Sequence, residues 1–171
     1  MMKTVTSFAF LLSLILFPSN TVAQPSANEN IDRVSELEAV KNAIDRFGRM
    51  WEDEDMEAFA NLIAHDASII IIGTDSAEQW VGYEAYREAR RKQYASYQNV
   101  EFNTYDQLVT LSQSGDVAWF SQKFDLFLIA QGTPVSLEGI RLTGVLEKRF
   151  GYWRIVQLHN SVPVLGQAAE Y

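Results

Sequence analysis

Four polar side chains near the end of the chain have the types and spacing that acid–base chemistry requires. Residues 139–163 form two runs rich in Ile, Leu, Val and Trp around a short turn, a pattern typical of an antiparallel hairpin. Alternate side chains of a strand share a face, so the pattern places Arg141 and Thr143 beside His159 and Ser161. Such groups are costly to bury unless they meet one another, water or a ligand. The hairpin therefore predicts a pocket.

Three residues form the predicted catalytic set. His159 is the predicted acid or base, since imidazole titrates near neutral pH; the alternative is a histidine held by Ser161 or a backbone carbonyl. Arg141 is suited to a carboxylate or enolate oxygen, or else to a structural ion pair with Asp66 or Glu138. Asp66 is the second candidate base, unless it only caps local backbone groups before a predicted strand.

Regular alternation assigns every side chain of the second run to a face. It groups Trp153, Ile155, Gln157, His159 and Ser161 on one side, with Arg154, Val156, Leu158 and Asn160 on the other. Aromatic rings elsewhere are candidates to line the pocket together with Thr143 and Ser161, or to fill the core without any such role. They are Trp51, Trp80, Tyr83, Tyr97 and Trp119.

Composition argues against several other kinds of chemistry. The chain has no cysteine, and its two histidines occur in neither an HxH nor an HExxH spacing. Carboxylates in residues 51–55 (WEDED) precede a predicted helix, where they usually act as caps. We therefore predict no metal and no cofactor. A formal charge of −8 without a basic run argues against nucleic acid or an anionic membrane as the main partner.

The first 23 residues have the pattern of a secretory signal peptide. Lys3 is followed by a short apolar run, FAFLLSLILF, and small residues then offer a cleavage site before Gln24. A retained anchor is the alternative, although the run is short for a membrane span. We therefore expect a secreted or periplasmic protein without membrane attachment after cleavage, with residues 24–30 as a flexible leader and 167–171 as a tail.

The remaining chain, residues 31–166, is predicted to be one α+β domain with helices on one face of a curved sheet. Its predicted helices are 31–51, about 56–64 and 83–97; its predicted strands are 67–72, buried on both faces, and 100–111, 117–130, 135–149 and the closing run, with a polar loop at 74–79. The third helix carries a basic face that we expect to be solvated. That face consists of Arg87, Arg90, Arg91 and Lys92.

In this order of elements the chain resembles the SnoaL-like branch of the nuclear transport factor 2-like superfamily. The features that match are Trp51 at the end of the first helix, Leu62 before His65-Asp66-Ala67, Trp80-Val81-Gly82, and the closing Arg141-x-Thr143, Gly151-x-Trp153-Arg154-Ile155-Val156 and His159-x-Ser161. The resemblance implies a cone-shaped barrel in which three N-terminal helices pack on a strongly curved antiparallel sheet around an apolar pocket. Homodimers through the outer face of the sheet are also implied.

The resemblance leaves two classes of function open. One is a domain that binds a small hydrophobic or amphipathic molecule and acts as a cofactor-free lyase, isomerase or cyclase. The other is a non-catalytic dimeric binding or accessory module. The dimer is also expected because the pattern places apolar residues on both faces of the strands and leaves no polar face for solvent. The residues concerned are Leu126, Leu128, Val156 and Leu158.

Overall fold

A computed structural model of the protein describes residues 27–164 and residue 166. The predicted signal peptide, the first residues of the predicted leader and the predicted tail lie outside these residues. The described elements, in chain order, are α1 (Ala27–Glu52), α2 (Met56–Leu62), β1 (Ile70–Ile72), β2 (Gln79–Val81), α3 (Tyr83–Ser96), β3 (Tyr97–Leu111), β4 (Val117–Ala130), β5 (Thr133–Arg149) and β6 (Tyr152–Ser161).

The three helices confirm the predicted α+β class, with small changes at their ends. α1 already begins at Ala27, inside the predicted leader, and α2 ends at Leu62 rather than near residue 64. Asp55 caps α2, because its Oδ1 accepts hydrogen bonds from the backbone N–H groups of Glu57 and Ala58, both at 2.9 Å. The acidic stretch before α2 therefore supplies a cap, as its position predicted.

The six strands form one curved sheet in the order β2-β1-β6-β5-β4-β3. β1 runs parallel to β6 and all other neighbours are antiparallel, so the sheet is mixed and its two edge strands do not pair. The predicted strand 67–72 is reduced to three residues, and Ile70 is 42% exposed, so burial on both faces was wrong. Part of the predicted loop forms the edge strand β2.

A β-bulge in β6 changes the faces that regular alternation assigned. Val145 pairs with Gln157 and the next residue of β5, Leu146, pairs with Ile155, so one residue of β6 is left over. Ile155 is fully buried on the helix side of the sheet, and the grouping of Trp153 and Ile155 with His159 was wrong. The alternation fails because it assumes an unbroken ladder.

The apolar side chains on the two faces of the sheet differ in burial, although the sequence pattern predicted apolar contacts on both. Leu126, Leu128 and Leu158 are 7% exposed or less and belong to the core, which fills the space between helices and sheet. Leu108 and Trp119 remain 71% and 48% exposed on the opposite, outer face. The leucines that motivated a dimer are therefore already buried inside one chain, and a different pair of apolar side chains lies on the outer face.

Glu36 connects α1 to the closing hairpin. Its carboxylate pairs with the ammonium group of Lys148 and accepts a hydrogen bond from the indole Nε1 of Trp153 at 2.9 Å. The bond from Lys148 holds the pKa of Glu36 below its usual value, against the opposing effect of burial. This contact fixes the helix against one end of the curved sheet, and so fixes the walls of the space enclosed between them.

Candidate functional site

The helices and the curved sheet enclose a cavity of about 140 Å³. Its wall is mainly aromatic and aliphatic, with a few polar side chains, as is typical of sites for small molecules. Every helix and strand except α2 contributes. The lining residues are Phe47, Trp51, Ile71, Gly73, Thr74, Glu78, Trp80, Tyr86, Arg90, Gln93, Tyr97, Phe102, Phe124, Leu126, Leu128, Ala130, Val135, Leu137 and Asn160.

Arg90 is the one cationic residue among those that line this cavity. It lies on the buried side of α3, four residues after Tyr86 and four before Tyr94, and both tyrosines are buried as well. Side chains at this spacing share one face of a helix. With only 2% of its surface exposed, Arg90 contradicts the expectation that it belongs to a solvated basic face.

The guanidinium group of Arg90 lies among the rings of Trp51, Tyr86 and Tyr94, with its central carbon 5.1 and 5.7 Å from the centroids of the two tyrosines. Its central carbon lies 3.5 Å from the ring centroid of Trp51, a cation–π distance, and Nη2 donates a hydrogen bond to the hydroxyl of Tyr86. Among the described residues, no group accepts a hydrogen bond from the buried Nε or Nη1. Arg90 therefore places a positive charge on the cavity wall and has two buried donor nitrogens without an acceptor among the described residues.

Glu78 supplies a carboxylate to the cavity wall, and both of its carboxylate oxygens accept hydrogen bonds from the protein. Its Oε2 accepts from the backbone N–H of Thr74 at 2.8 Å, and its Oε1 from Nε2 of Gln93 at 3.4 Å. A glycine at position 73 permits this arrangement, because a Cβ there would lie 2.1 Å from Oε2 of Glu78. The loop between β1 and β2 thus folds around its own carboxylate.

The cavity shares part of its wall with a cleft on the surface beside α3. Trp80, Gln93 and Tyr97 line both the cavity and a cleft on the outside of this helix, and so does Glu78. Burial raises the pKa of Tyr97, and the nearby negative charge of Glu78 raises it further. The phenol is therefore neutral at physiological pH. Aromatic and polar side chains together form this shared wall.

Of the five aromatic residues predicted to line the pocket, Trp51, Trp80 and Tyr97 do so. Tyr83 stacks on His65, with ring centroids 4.0 Å apart, and is not among the lining residues. Trp119 lies on the outer face of the sheet, far from the interior. The three predicted rings that line the cavity therefore come from α1, β2 and the start of β3.

The polar set of the hairpin forms a cluster, but outside the cavity. Thr143 pairs with His159 and Arg141 with Ser161, as the strand pattern predicted. His159, Arg141 and Thr143 are exposed, and none of the four lines the cavity. Nη2 of Arg141 lies 3.5 Å from the carbonyl oxygen of Val162. A catalytic role for His159 or Arg141 stays a prediction, and the cavity does not supply their substrate site.

Asp66 lies apart from this cluster. Its carboxylate pairs with Arg149, and its backbone carbonyl accepts a hydrogen bond from the N–H of Tyr83 at 2.8 Å. Hydrogen bonds to Glu147 and Asp66 raise the pKa of Arg149. The structural partner of Asp66 is therefore Arg149 and not Arg141, and the three residues of the predicted catalytic set do not come together.

Sequence reasoning missed Arg90 and Glu78 as site residues. The spacing of Arg90 between two tyrosines of α3 was a usable indication, because it placed the arginine on the face that carries the rings. Glu78 had no comparable indication, since its position depends on how one short loop folds. Within residues 27–164 no cluster of His, Asp and Glu could hold a metal ion, and no helix there is long and apolar enough to cross a membrane.

The family follows from a model that covers most of the chain. The model described as "SnoaL-like domain" matches residues 40–165, which include α1 from its middle onward, the whole sheet and the cavity. The chain belongs to the SnoaL-like domain family. Among curated protein sequences, none matches it.

Solved structures place this SnoaL-like domain in the nuclear transport factor 2-like fold. A superfamily protein from Salmonella enterica serovar Typhimurium LT2 is 14% identical, with a TM-score of 0.70 over 81% of this chain and 99% of its own. A protein from Streptomyces avermitilis, provisionally named a dehydratase of this family, is 17% identical, with a TM-score of 0.67 over 78% and 99%. A protein from Novosphingobium aromaticivorans, provisionally named a scytalone dehydratase, is 11% identical, with a TM-score of 0.69 over 79% and 89%. At these identities the likeness shows the fold.

Proposed function

We propose that this SnoaL-like domain binds a small, mainly apolar molecule in its interior cavity. The observation that carries the proposal is the cavity itself, which is lined by aromatic and aliphatic side chains yet keeps a few polar groups at defined positions. A cavity of about 150 Å³ accommodates a ring of benzene size. The space of about 140 Å³ here therefore suits a molecule with one ring.

Binding explains this cavity better than the predicted acid–base reaction does. A lyase, isomerase or cyclase needs a base within hydrogen-bond reach of its substrate. His159 lies on the other face of the sheet, and Asp66 is engaged by Arg149. Glu78 is the carboxylate on the cavity wall, but both of its oxygens already accept hydrogen bonds. We therefore place the binding module ahead of the cofactor-free enzyme.

A screen of one-ring metabolites by thermal shift tests this proposal. A ligand at a hundred times its Kd should add roughly 2.7 kcal/mol to the free energy of unfolding. Ala130 lines the cavity, so Ala130→Trp should fill it and abolish the shift. Ala95→Trp makes the same change at an exposed position of α3 and should leave the shift intact. A shift that survives in Ala130→Trp would place the ligand elsewhere.

We propose that the protein is exported, as a secreted or periplasmic protein. The support is the pattern of the first 23 residues, with an apolar run after Lys3 and small residues before Gln24. The absence of cysteine is compatible with an oxidising compartment, because the fold then needs no protection from wrong disulfides. Fractionation of cells that produce the tagged protein, with mass measurement of its N-terminus, tests the localisation and the cleavage together.

A homodimer through the outer face of the sheet is the proposed assembly. Leu108 and Trp119 lie exposed on neighbouring strands there, and a shallow groove runs from them to Val145 and Gln157 on β5 and β6. Exposed apolar side chains that share a groove are typical of protein–protein contacts. The proposal agrees with what the family resemblance implies, although it rests on different residues from those in the sequence pattern.

A charge placed in this groove should separate the two copies. Leu108→Glu would bury two unpaired carboxylates across a two-fold axis, so we expect a monomer at micromolar concentration in sedimentation experiments. Val34→Glu introduces the same charge at a position of α1 that is 61% exposed, and should leave the dimer intact. A wild-type protein that sediments only as a monomer at this concentration would contradict the proposal.

A further inference from the structure

Arg90 indicates what kind of molecule the cavity takes. The structure points to a small apolar monocarboxylate, bound with its carboxylate at Arg90 and its ring in the apolar part of the cavity; this is our own inference, and it rests on the proposed binding function. The juxtaposition that carries it is a cation on the cavity wall, 98% buried, whose free donors have no acceptor among the described residues.

A buried guanidinium group without a counter-ion is unfavourable for the protein alone. Removing a charge from water costs free energy unless a partner of opposite sign and hydrogen bonds replace the lost hydration. Trp51 and Tyr86 supply one ring face and one hydroxyl oxygen, and neither carries a negative charge. The carboxylate of Glu78 lies on the same cavity wall, but it accepts its hydrogen bonds from Thr74 and Gln93 and not from Arg90. Nε and Nη1 remain without an acceptor among the described residues. The charge of Arg90 is therefore balanced best by a ligand.

A carboxylate is the group that fits this arginine. Its two oxygens accept several hydrogen bonds and carry the opposite charge, and the planar guanidinium group matches their geometry. The stacking on Trp51 fixes the plane of the group before a ligand arrives, so little rotamer freedom is lost on binding. The arrangement therefore favours a carboxylate over a neutral hydroxyl or amide group.

The rest of the cavity limits the ligand to one acidic group on an apolar body. Phe102 and Phe124 stack on each other with centroids 4.4 Å apart, and with Leu126 and Leu128 they form an apolar wall. The negative charge of Glu78 on the same cavity disfavours a second anionic group. Its two oxygens already accept hydrogen bonds from Thr74 and Gln93. A cationic ligand therefore gains less binding free energy at Glu78 than an anionic ligand gains at Arg90.

Three probes of nearly the same shape separate the effect of ligand charge on affinity from the effect of ligand shape. Benzoate, benzamide and benzamidine carry one negative charge, no charge and one positive charge on the same ring. Calorimetric titration of the full mature chain with each probe should give a Kd for benzoate at least about tenfold lower than for benzamide, and no binding of benzamidine. Equal affinities for benzoate and benzamide would overturn the inference while leaving the proposed function in place.

A pair of arginine variants then assigns the charge preference to one residue. Arg90→Met keeps the length of the side chain without its charge, and should weaken benzoate binding roughly 10- to 100-fold while changing benzamide binding less than about threefold. Arg91→Met removes the same charge from a neighbouring side chain that is 63% exposed, and should change neither. Should Arg90→Met fail to fold, the neutral variant Arg90→Gln provides the comparison. Benzoate preference that survives in the neutral variant would overturn the inference, and no binding of any probe would contradict the cavity proposal itself.

Discussion

Replacement of Ile155 by alanine is expected to lower the free energy of unfolding by about 2–5 kcal/mol. Ile155 is fully buried, and its carbonyl oxygen accepts a hydrogen bond from the N–H of Ala64 at 2.9 Å, so the surrounding chain cannot easily close around a lost side chain. In a domain of this size the melting temperature should fall by roughly 3–5 °C for each kcal/mol. Urea denaturation followed by tryptophan fluorescence measures the change.

His159→Ala is the matched control for this experiment. Regular alternation would put Ile155 and His159 on the same face, whereas the bulge in β6 puts only Ile155 in the core. An exposed side chain contributes little to stability, so His159→Ala should change the free energy of unfolding by less than about 0.5 kcal/mol. Similar losses for the two variants would contradict the bulge and favour the regular pattern.

The sequence predicted the order and the kind of the main elements because their patterns are long. Three helices with a 3.6-residue period and four strands with turns between them need only local information. β2 and the bulge were missed because local sequence patterns do not contain the information that determines them. A strand of three residues such as β2 contains too few positions for a period, and the bulge is a property of how β6 pairs with β5. Pairing is decided by the whole sheet.

The candidate site was less predictable than the fold. Trp51 and Tyr97 were predicted to line the pocket because aromatic rings can stack on a ligand or hydrogen-bond to it, and both line the cavity. The polar cluster around His159 was predicted correctly as a cluster, but a strand pattern cannot say which face of a sheet encloses a cavity. Arg90 was assigned to solvent because a charged side chain next to other charged side chains usually lies there.

Trp51 and Arg90 are expected to stabilise the fold as a coupled pair. Trp51→Leu should lower the free energy of unfolding by about 3 kcal/mol, since the ring also stacks on Tyr97 and Phe102 at centroid distances of 6.4 and 6.3 Å. Once Trp51 is replaced, Arg90 loses the ring face that lies 3.5 Å from its guanidinium carbon. The effect of Arg90→Met should therefore depend strongly on whether Trp51 is present.

A double-mutant cycle measures this dependence. Unfolding free energies of the wild type, Trp51→Leu, Arg90→Met and the double variant should give an interaction energy of about 1–2 kcal/mol, as expected for a desolvated cation–π pair. The control cycle uses Arg91→Met in place of Arg90→Met, and should be additive within about 0.5 kcal/mol because Arg91 is 63% exposed and pairs with Glu88. Additivity in the first cycle would mean that the ring does not hold the guanidinium group. Arg90 would then not be fixed in advance for a carboxylate, and its place on the cavity wall would reflect packing alone.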